Sequence, residues 1–448
     1  MTARAESAFG FFIRHAHWAA GLIGFTLIIL CFYPGQMSAD SLDHLRQARA
    51  GIYTDWHSPV MSWWWGCIDR IVPGPFGLLV FHNLLFWSGL AGLLGARFTP
   101  VWAAILTLAL GLAPCCVGLL GTIWSDVGMG AAMLLAVALI DRFSRTRSWP
   151  LLSGAALLLL YACAVRKNAA AAVLPVAIWA ATIATDRGRT ASRFWRFGPA
   201  AVGIFVAITM FLATQLINQT LAGPQATLQS QQLFLHDLAA ISLSRHENVL
   251  PAYLQSGPTP VTLDLLQKLY TSKSVEPLIF GDEPKVPLTS DYAIYIELRR
   301  RWMQEITRHP SAYLRHRTAV MAAMLGLVPD VVYPYHWGIN PNEFGYQMNQ
   351  GRLLHVAMSG LASIKGTLFF RGWFFGLLGV ATVAVACLRN ADLSLTSTMV
   401  ASGFAYVAPY FLISPAGDFR LIWWMVVAVL VSIPICLAPK KPVEHHRR

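Results

Sequence analysis

Long apolar runs, separated by short polar connections, dominate the chain. The first extends from Trp18 to Tyr33, and the others lie at about 75–95, 100–120, 126–141, 150–165, 169–185, 197–217, 371–388, 396–413 and 419–437. Several reach the ~20 residues that an α-helix needs to cross a bilayer. The pattern predicts an all-α polytopic membrane protein with about ten transmembrane helices, in a range of about nine to twelve because the runs near 150–165 and 169–185 are short.

A polar loop at 34–73 follows the first run. That run ends at Tyr33-Pro34-Gly35 without the small-residue pattern of a cleavage site, so we expect an uncleaved first span. Ser38 is placed to cap a short helix over 39–50. The tryptophan-rich stretch 61–72 is typical of a helix that lies in the membrane interface.

A second polar region, 218–370, is too polar to cross a membrane and too long for an idle loop. Residues 291–309 carry apolar side chains at helical spacing and predict an amphipathic helix. A shorter apolar helix is expected over 313–329, ending at Pro329. We therefore divide the chain into an N-terminal transmembrane module that includes the 34–73 loop (1–217), an extracytoplasmic region (218–370), and C-terminal transmembrane helices with a tail (371–448).

The distribution of charge adds an orientation. Only 12% of the 448 residues are charged and 56% are hydrophobic, whereas soluble domains carry about 25% charged residues. The net charge of +12 does not indicate a nucleic-acid partner, because the basic residues fall in short connections between apolar runs. With the N-terminus inside, fifteen lysines and arginines lie on the inner side and six in the short outer connections, as the positive-inside rule requires. We expect both termini in the cytoplasm and the loops at 34–73 and 218–370 outside.

Charged clusters gather on that outer side. Asp40, Asp43 and His44 are spaced so that they share one face of the expected helix, where a carboxylate could act as a general base. A solvated helix face is the alternative. Charges near a membrane are costly unless paired or functional, and three further clusters arrive at the same side: Trp124-Ser125-Asp126, Arg166-Lys167-Asn168 and Asp418-Phe419-Arg420. Their cations suit a phosphate, although ion pairing with Asp126 or Asp418 is a competing account.

Two further features bear on ligands. The aromatic stretch that includes Tyr335, His336 and Trp337 suits stacking on sugar rings, or alternatively an aromatic belt at the outer membrane surface. The loop at 34–73 supplies carboxylates and histidines, but their spacing matches no metal motif; we assign no metal site and leave a divalent cation open. The seven cysteines show no paired spacing, so neither a disulfide framework nor a cysteine zinc site is expected.

These motifs resemble the GT-C class of glycosyltransferases, which use polyprenyl-phosphate sugars and include lipid A aminoarabinose transferases and protein O-mannosyltransferases. The resemblance rests on Asp40 after the first span, Gly51-x-Tyr53-x-Asp55-Trp56-His57-Ser58-Pro59, Trp124-Ser125-Asp126 and Arg166-Lys167-Asn168. It covers the first ~190 residues by motif and the remainder only by topology. It implies a GT-C-like bundle with Asp40 as catalytic base. Ser41 stands where many members have glutamate, and His57 stands where some have a lysine that holds the carrier phosphate.

Together the residues and the resemblance predict an inverting glycosyltransferase in the bacterial inner membrane. It would move a sugar from a polyprenyl-phosphate donor to an envelope glycan, glycolipid or protein on the periplasmic side. Asp40 would be the base and His57, Arg166, Lys167 and Arg420 would bind the donor phosphate; supporting residues are Asp55, Trp56, Asp126, Asn168, Tyr335, His336 and Trp337. One carboxylate suffices because phosphate is a good leaving group, whereas glycoside hydrolysis usually uses two.

Two other functions remain open. A polymerase or ligase of surface polysaccharide also uses lipid-linked sugars, but its chemistry would lie mainly in the late loop with the arginines at 299–301. A transporter or flippase of lipid-linked sugars usually has inverted repeats and helices broken near the membrane midplane. No repeat is visible in the sequence, and the charges collect at one face.

Overall fold

The structure, a computed structural model, describes residues 14–185, 198–223, 227–256, 260–280, 285–389 and 391–438. Within these ranges the protein is helical, with isolated β-bridges and no β-strand. The predicted all-α class is therefore confirmed. The expected cytoplasmic termini and the basic connection at 186–197 fall outside the described residues.

The helices before residue 223 follow the order of the apolar runs and the first loop. They are α1 (Ala16–Phe32), α2 (Ala39–Ala50), α3 (Pro59–Asp69), α4 (Phe76–Gly95), α5 (Pro100–Gly111), α6 (Pro114–Leu120), α7 (Ser125–Thr146), α8 (Trp149–Val165), α9 (Ala169–Thr185) and α10 (Gly198–Ala222). The helix expected over 39–50 is confirmed as α2. The tryptophan-rich stretch forms α3, which begins earlier than expected because Pro59 suits the first turn of a helix.

The later helices include the predicted amphipathic one. They are α11 (Gln231–Arg245), α12 (Ala252–Gln255), α13 (Leu263–Leu269), α14 (Glu276–Ile279), α15 (Tyr292–Arg308), α16 (Pro310–Met324), α17 (Arg352–Ile364), α18 (Gly372–Leu388), α19 (Leu393–Val407), α20 (Tyr410–Ile413) and α21 (Trp423–Leu437). The amphipathic helix is α15, whose first turn is capped by the Asp291 carboxylate accepting the Ala293 N–H at 2.7 Å. The predicted end of α16 at Pro329 is wrong, because the helix stops at Met324, just before the left-handed Gly326.

The helix lengths establish a membrane protein. Among the described residues, five helical stretches are long and apolar enough to cross a bilayer: Phe76–Gly95, Ser125–Thr146, Gly198–Ala222, Leu393–Ile413 and Phe419–Leu437. α1, α8, α9 and α18 are apolar but have 17 residues each, or about 25 Å against a hydrocarbon core of ~30 Å. The count of ten spans thus stays a prediction.

One apolar run does not form the single span expected of it. Residues 100–120 form α5 and α6, which meet at an angle of 64°. Pro114 has no N–H to continue the α5 hydrogen bonds, and its ring would clash with the carbonyl of the preceding turn. The run is therefore a bent pair of helices.

The centre of the bundle is built from α4, α7 and α21. In the apolar segments that contain these three helices, between 72% and 78% of the residues are buried, whereas only 17% are buried in α10. Gly89 lets α4 approach α7 closely, since a Cβ there would lie 2.7 Å from the Leu135 backbone nitrogen. Trp423 and Trp424 are fully buried, and their indole N–H groups donate to the Cys115 carbonyl at 3.0 Å and the Ser402 hydroxyl at 2.9 Å. The core of the bundle is therefore closely packed.

The region after α10 has its own hydrophobic core, in which α11 packs against α15 and α16. Phe234 and Trp302 pack with ring centroids 4.5 Å apart. Within this core Arg317 donates to Asp237, and both side chains are fully buried. Arg317 also donates to the Ser414 carbonyl at 2.7 Å, which links this region to the C-terminal helices.

Backbone hydrogen bonds bring several polar segments to one end of the bundle. The Gln36 N–H donates to the Gly121 carbonyl at 2.8 Å, and the Met37 N–H to the Gly338 carbonyl at 3.0 Å. Residues 414–418 directly precede the last span. In this stretch the Gly417 N–H donates to the Lys273 carbonyl at 2.8 Å. The first loop, the region after α10 and the start of the last span therefore meet there.

Candidate active site

A cavity of about 450 Å³ lies where these segments meet, and we call it the large cavity. Eight of the predicted site residues line it: Asp40, Asp55, Trp56, His57, Arg166, Lys167, Asn168 and Arg420. They come from the first loop, the α8–α9 turn and the start of the last span, segments that are far apart in sequence. The convergence expected from the charge pattern is thus confirmed in space.

The start of α2 fixes the position of Asp40. Ser41 is fully buried, donates to the Ile123 carbonyl at 2.7 Å and accepts the Ser38 N–H at 3.2 Å. Leu42 and Leu45 bury the opposite side of the helix. Ser41 therefore anchors the first turn and leaves Asp40 at the cavity, with 38% of its side chain exposed.

Asp40 is held by a cation. Its Oδ2 accepts from Arg420 Nη1 at 2.6 Å, and its Oδ1 lies 3.9 Å from His57 Nε2. Burial acts to raise the pKa of Asp40, but the charge of Arg420 and its hydrogen bond to the carboxylate outweigh that effect and hold the pKa well below its usual range. Arg420 also pairs with Asp418 at 3.1 Å and lies over the Trp124 ring at 4.7 Å. Asp40 is therefore an ionised carboxylate with one oxygen engaged.

His57 lies between two carboxylates, with Nε2 3.7 Å from the Asp43 carboxylate as well as near Asp40. Its ring centroid is 4.8 Å from that of His44, and His44 Nδ1 is bonded to the Ser62 hydroxyl at 2.7 Å. Burial lowers the pKa of His57, and the opposing carboxylates do not cancel that effect. His57 is therefore mainly neutral at pH 7 and a weaker phosphate ligand than a protonated histidine would be.

The two cations of the α8–α9 turn differ in their partners. Arg166 donates through Nε to Asp126 Oδ1 at 2.8 Å, and the Tyr406 hydroxyl donates to the same oxygen at 3.0 Å. Asp126 is 1% exposed. Arg166 therefore forms a buried ion pair, which the sequence analysis gave as the alternative to phosphate binding. Lys167 is exposed at the large cavity and has no carboxylate partner among the described residues. It is therefore available to an incoming anion.

Other predicted residues shape the wall of the cavity. Asp55 accepts the N–H and the hydroxyl of Thr227, each at 2.6 Å, so its carboxylate ties the first loop to the chain after α10. Trp56 packs edge-on against Phe280, with centroids 5.8 Å apart. The Asn168 side-chain nitrogen is buried with no hydrogen-bond partner among the described residues.

The predicted aromatic stretch is only partly at the site. His336 lines a second cavity of about 210 Å³, the small cavity, with its ring 5.8 Å from that of Trp124. Tyr335 packs on Phe370, and 48% of Trp337 is exposed. Neither Tyr335 nor Trp337 lines either cavity.

The small cavity adds residues that sequence reasoning missed. It shares Asp40, Arg420 and Glu276 with the large cavity. Tyr333 also lines it and donates through its hydroxyl to Glu276 Oε2 at 3.0 Å. Glu276 opens the four-residue helix α14, so no periodic pattern marked it. The arginines at 299–301 line neither cavity, and Arg301 donates to the Val249 carbonyl at 2.8 Å.

Among the described residues, no group of three or more histidine, cysteine, aspartate or glutamate side chains is arranged to hold a metal ion. Comparison of the chain with family models, curated proteins and solved structures returns no match.

Proposed function

We propose that the protein is an inverting glycosyltransferase that moves a sugar from a polyprenyl-phosphate donor to an acceptor outside the cytoplasm. One observation carries this proposal. Asp40 shares the large cavity with four basic side chains from three segments, His57, Arg166, Lys167 and Arg420. The other carboxylates of the lining are engaged: Asp55 by Thr227, Glu276 by Tyr333 and Asp418 by Arg420. Such a site has what transfer from a lipid phosphate needs, namely one base and a cationic surface for the departing phosphate.

The reaction is a single displacement. Asp40 Oδ1, the oxygen that Arg420 leaves open, accepts the proton of the acceptor hydroxyl as that oxygen attacks the anomeric carbon. The bond from this carbon to the phosphate oxygen breaks, and its electron pair leaves with the phosphate. Lys167 binds that phosphate as the cation without a carboxylate partner. Arg166 and Arg420 contribute positive charge at positions fixed by their ion pairs.

The wider architecture follows from this function. We propose a GT-C-like bundle of about ten spans in the bacterial inner membrane, with both termini cytoplasmic and the large cavity facing the periplasm. The lipid carrier reaches the cavity from the bilayer, and the region after α10 covers donor and acceptor. The acceptor is an envelope glycan, a glycolipid or a protein.

Mass spectrometry of envelope glycans, with and without the gene, tests the function. The proposal expects one envelope component to lose a single sugar mass, and expects the purified protein to restore that mass from a polyprenyl-phosphate sugar. Unchanged glycans, or restoration that needs no lipid-linked donor, would contradict it.

A polysaccharide polymerase or ligase is the second candidate, favoured by Arg299 and Arg300, which are exposed on α15. If alanine at Arg299 and Arg300 abolished envelope modification while Asp40→Ala left it intact, the second candidate would replace the first. A lipid-linked sugar flippase would move the donor without forming any glycosidic bond. It would be recognised by donor translocation with no transferred sugar.

A further inference from the structure

The small cavity shares Asp40 and Arg420 with the large cavity but not the other basic side chains of the site. Nine residues line it, among them Trp124, Tyr333, His336 and Asn340, and it includes neither Arg166 nor Lys167. Its volume of about 210 Å³ is below the ~300–1,000 Å³ of pockets that hold drug-sized molecules. It therefore suits one ring-sized group.

The polar groups of the small cavity suit hydroxyls. Asn340 offers an amide, Tyr333 a hydroxyl, and His336 a buried Nε2 with no hydrogen-bond partner among the described residues. A sugar hydroxyl can both donate and accept, so it can satisfy each of these groups. Trp124 supplies an aromatic surface beside them.

The charges of the small cavity disfavour an anion. Asp40 and Glu276 are carboxylates that can only accept hydrogen bonds, and Arg420 is the single cation of the lining. Arg420 is already bonded to Asp40 and Asp418. Burial lowers the pKa of His336, so it adds no positive charge at pH 7. Two lining carboxylates against one engaged arginine leave an excess of negative charge.

We propose that the small cavity binds an uncharged, hydroxyl-bearing sugar ring of the acceptor, and that Glu276 makes it select against acidic sugars. This proposal rests on the proposed function only in naming the ring as acceptor. Because Asp40 borders both cavities, a hydroxyl of the ring reaches the base from the small cavity while the donor phosphate lies on the cations of the large one. Tyr333 holds the Glu276 carboxylate in place and is a positioning residue.

Binding of two sugar probes to the purified protein, without donor, tests the selection. Diacetylchitobiose is the neutral probe and digalacturonate the acidic one, and saturation-transfer NMR reports the affinity of each. Glu276→Gln, which keeps the shape of the side chain, should improve the affinity for digalacturonate roughly tenfold relative to the neutral probe, because one like-charge repulsion is removed.

Glu297→Gln is the matched control, since Glu297 is exposed on α15 and lines neither cavity. It makes the same change in net charge and should leave the ratio of the two probe affinities unchanged. Trp124→Ala should lower the affinity of the protein for diacetylchitobiose. The proposal is overturned if neither probe binds the wild type, or if the two glutamine variants behave alike. Since no transfer is measured, failure of the glycosyltransferase assignment gives a separate result.

Discussion

Removing Arg317 should destabilise the protein severely, although Arg317 lines neither cavity. The side chains of Arg317 and Asp237 are both 0% exposed. Asp237 also accepts the Trp302 indole N–H at 2.8 Å, and Arg317 donates to the Ser414 carbonyl at 2.7 Å. In Arg317→Met, the carboxylate would stay buried without its cation, and the carbonyl would lose its donor.

The size of the effect follows from these contacts. Breaking a buried ion pair by removing one partner costs ~3–5 kcal/mol, a large part of the ~5–15 kcal/mol that stabilises a typical domain. At ~2 °C per kcal/mol for larger domains, the melting temperature should fall by roughly 5–10 °C. The double variant Asp237→Leu/Arg317→Met leaves no buried charge and should recover most of the loss.

Thermal unfolding of the purified protein in detergent measures this difference. Arg46→Met is the matched control, because its ion pair with Glu343 is 53% and 49% exposed at the two side chains, and such pairs contribute ~0–1 kcal/mol. If Arg317→Met shifted the melting temperature no more than Arg46→Met, or if the double variant were less stable than the single one, the role of the buried pair would be refuted.

Three further predictions concern the cations, the pH dependence and the core. Lys167→Met should weaken binding of a polyprenyl phosphate about tenfold at an unchanged melting temperature, whereas Arg166→Met, which strips a buried carboxylate of its partner, should lower the melting temperature by several degrees. Because burial lowers the pKa of His57, the pH dependence of phosphate affinity between about pH 7 and 8 should be the same in the wild type and in His57→Gln; a decline that His57→Gln abolishes would contradict this. Gly89→Ala should cost ~1–3 kcal/mol in thermal unfolding, because its Cβ would meet the α7 backbone at 2.7 Å. Gly360→Ala, with nothing within 4 Å, should be neutral or stabilising by ~0.4–1 kcal/mol; equal losses would contradict the close-contact account.

The sequence predicted those features that depend on local or periodic signals. The cap at Ser38 and the spacing after it gave α2 and the placement of Asp40. The 3.6-residue period gave α15 in the outer region. The arrival of charged clusters at one side of an apolar chain predicted that they meet, because burying separate charges is costly.

What the sequence left undecided depends on tertiary contacts. From the sequence alone, Arg166 could either pair with Asp126 or bind a phosphate, since no local pattern distinguishes an ion pair from a phosphate site. Glu276 lies on a four-residue helix placed by long-range contacts, including the bridge between Ser274 and Ala416. The mean hydropathy of residues 100–120 does not indicate the bend at Pro114, because an average over many residues does not register that proline lacks a backbone N–H.

The central claim is that Asp40 is the base for transfer from a lipid-phosphate sugar. Asp40→Asn keeps the size of the side chain and removes its basicity. Asp43→Asn makes the same change on the same helix, at a carboxylate that lines neither cavity. With a polyprenyl-phosphate sugar donor, the initial rate of transfer by Asp40→Asn should fall at least ~100-fold, at an unchanged melting temperature, while Asp43→Asn stays close to the wild type. Full transfer activity in Asp40→Asn would contradict the account.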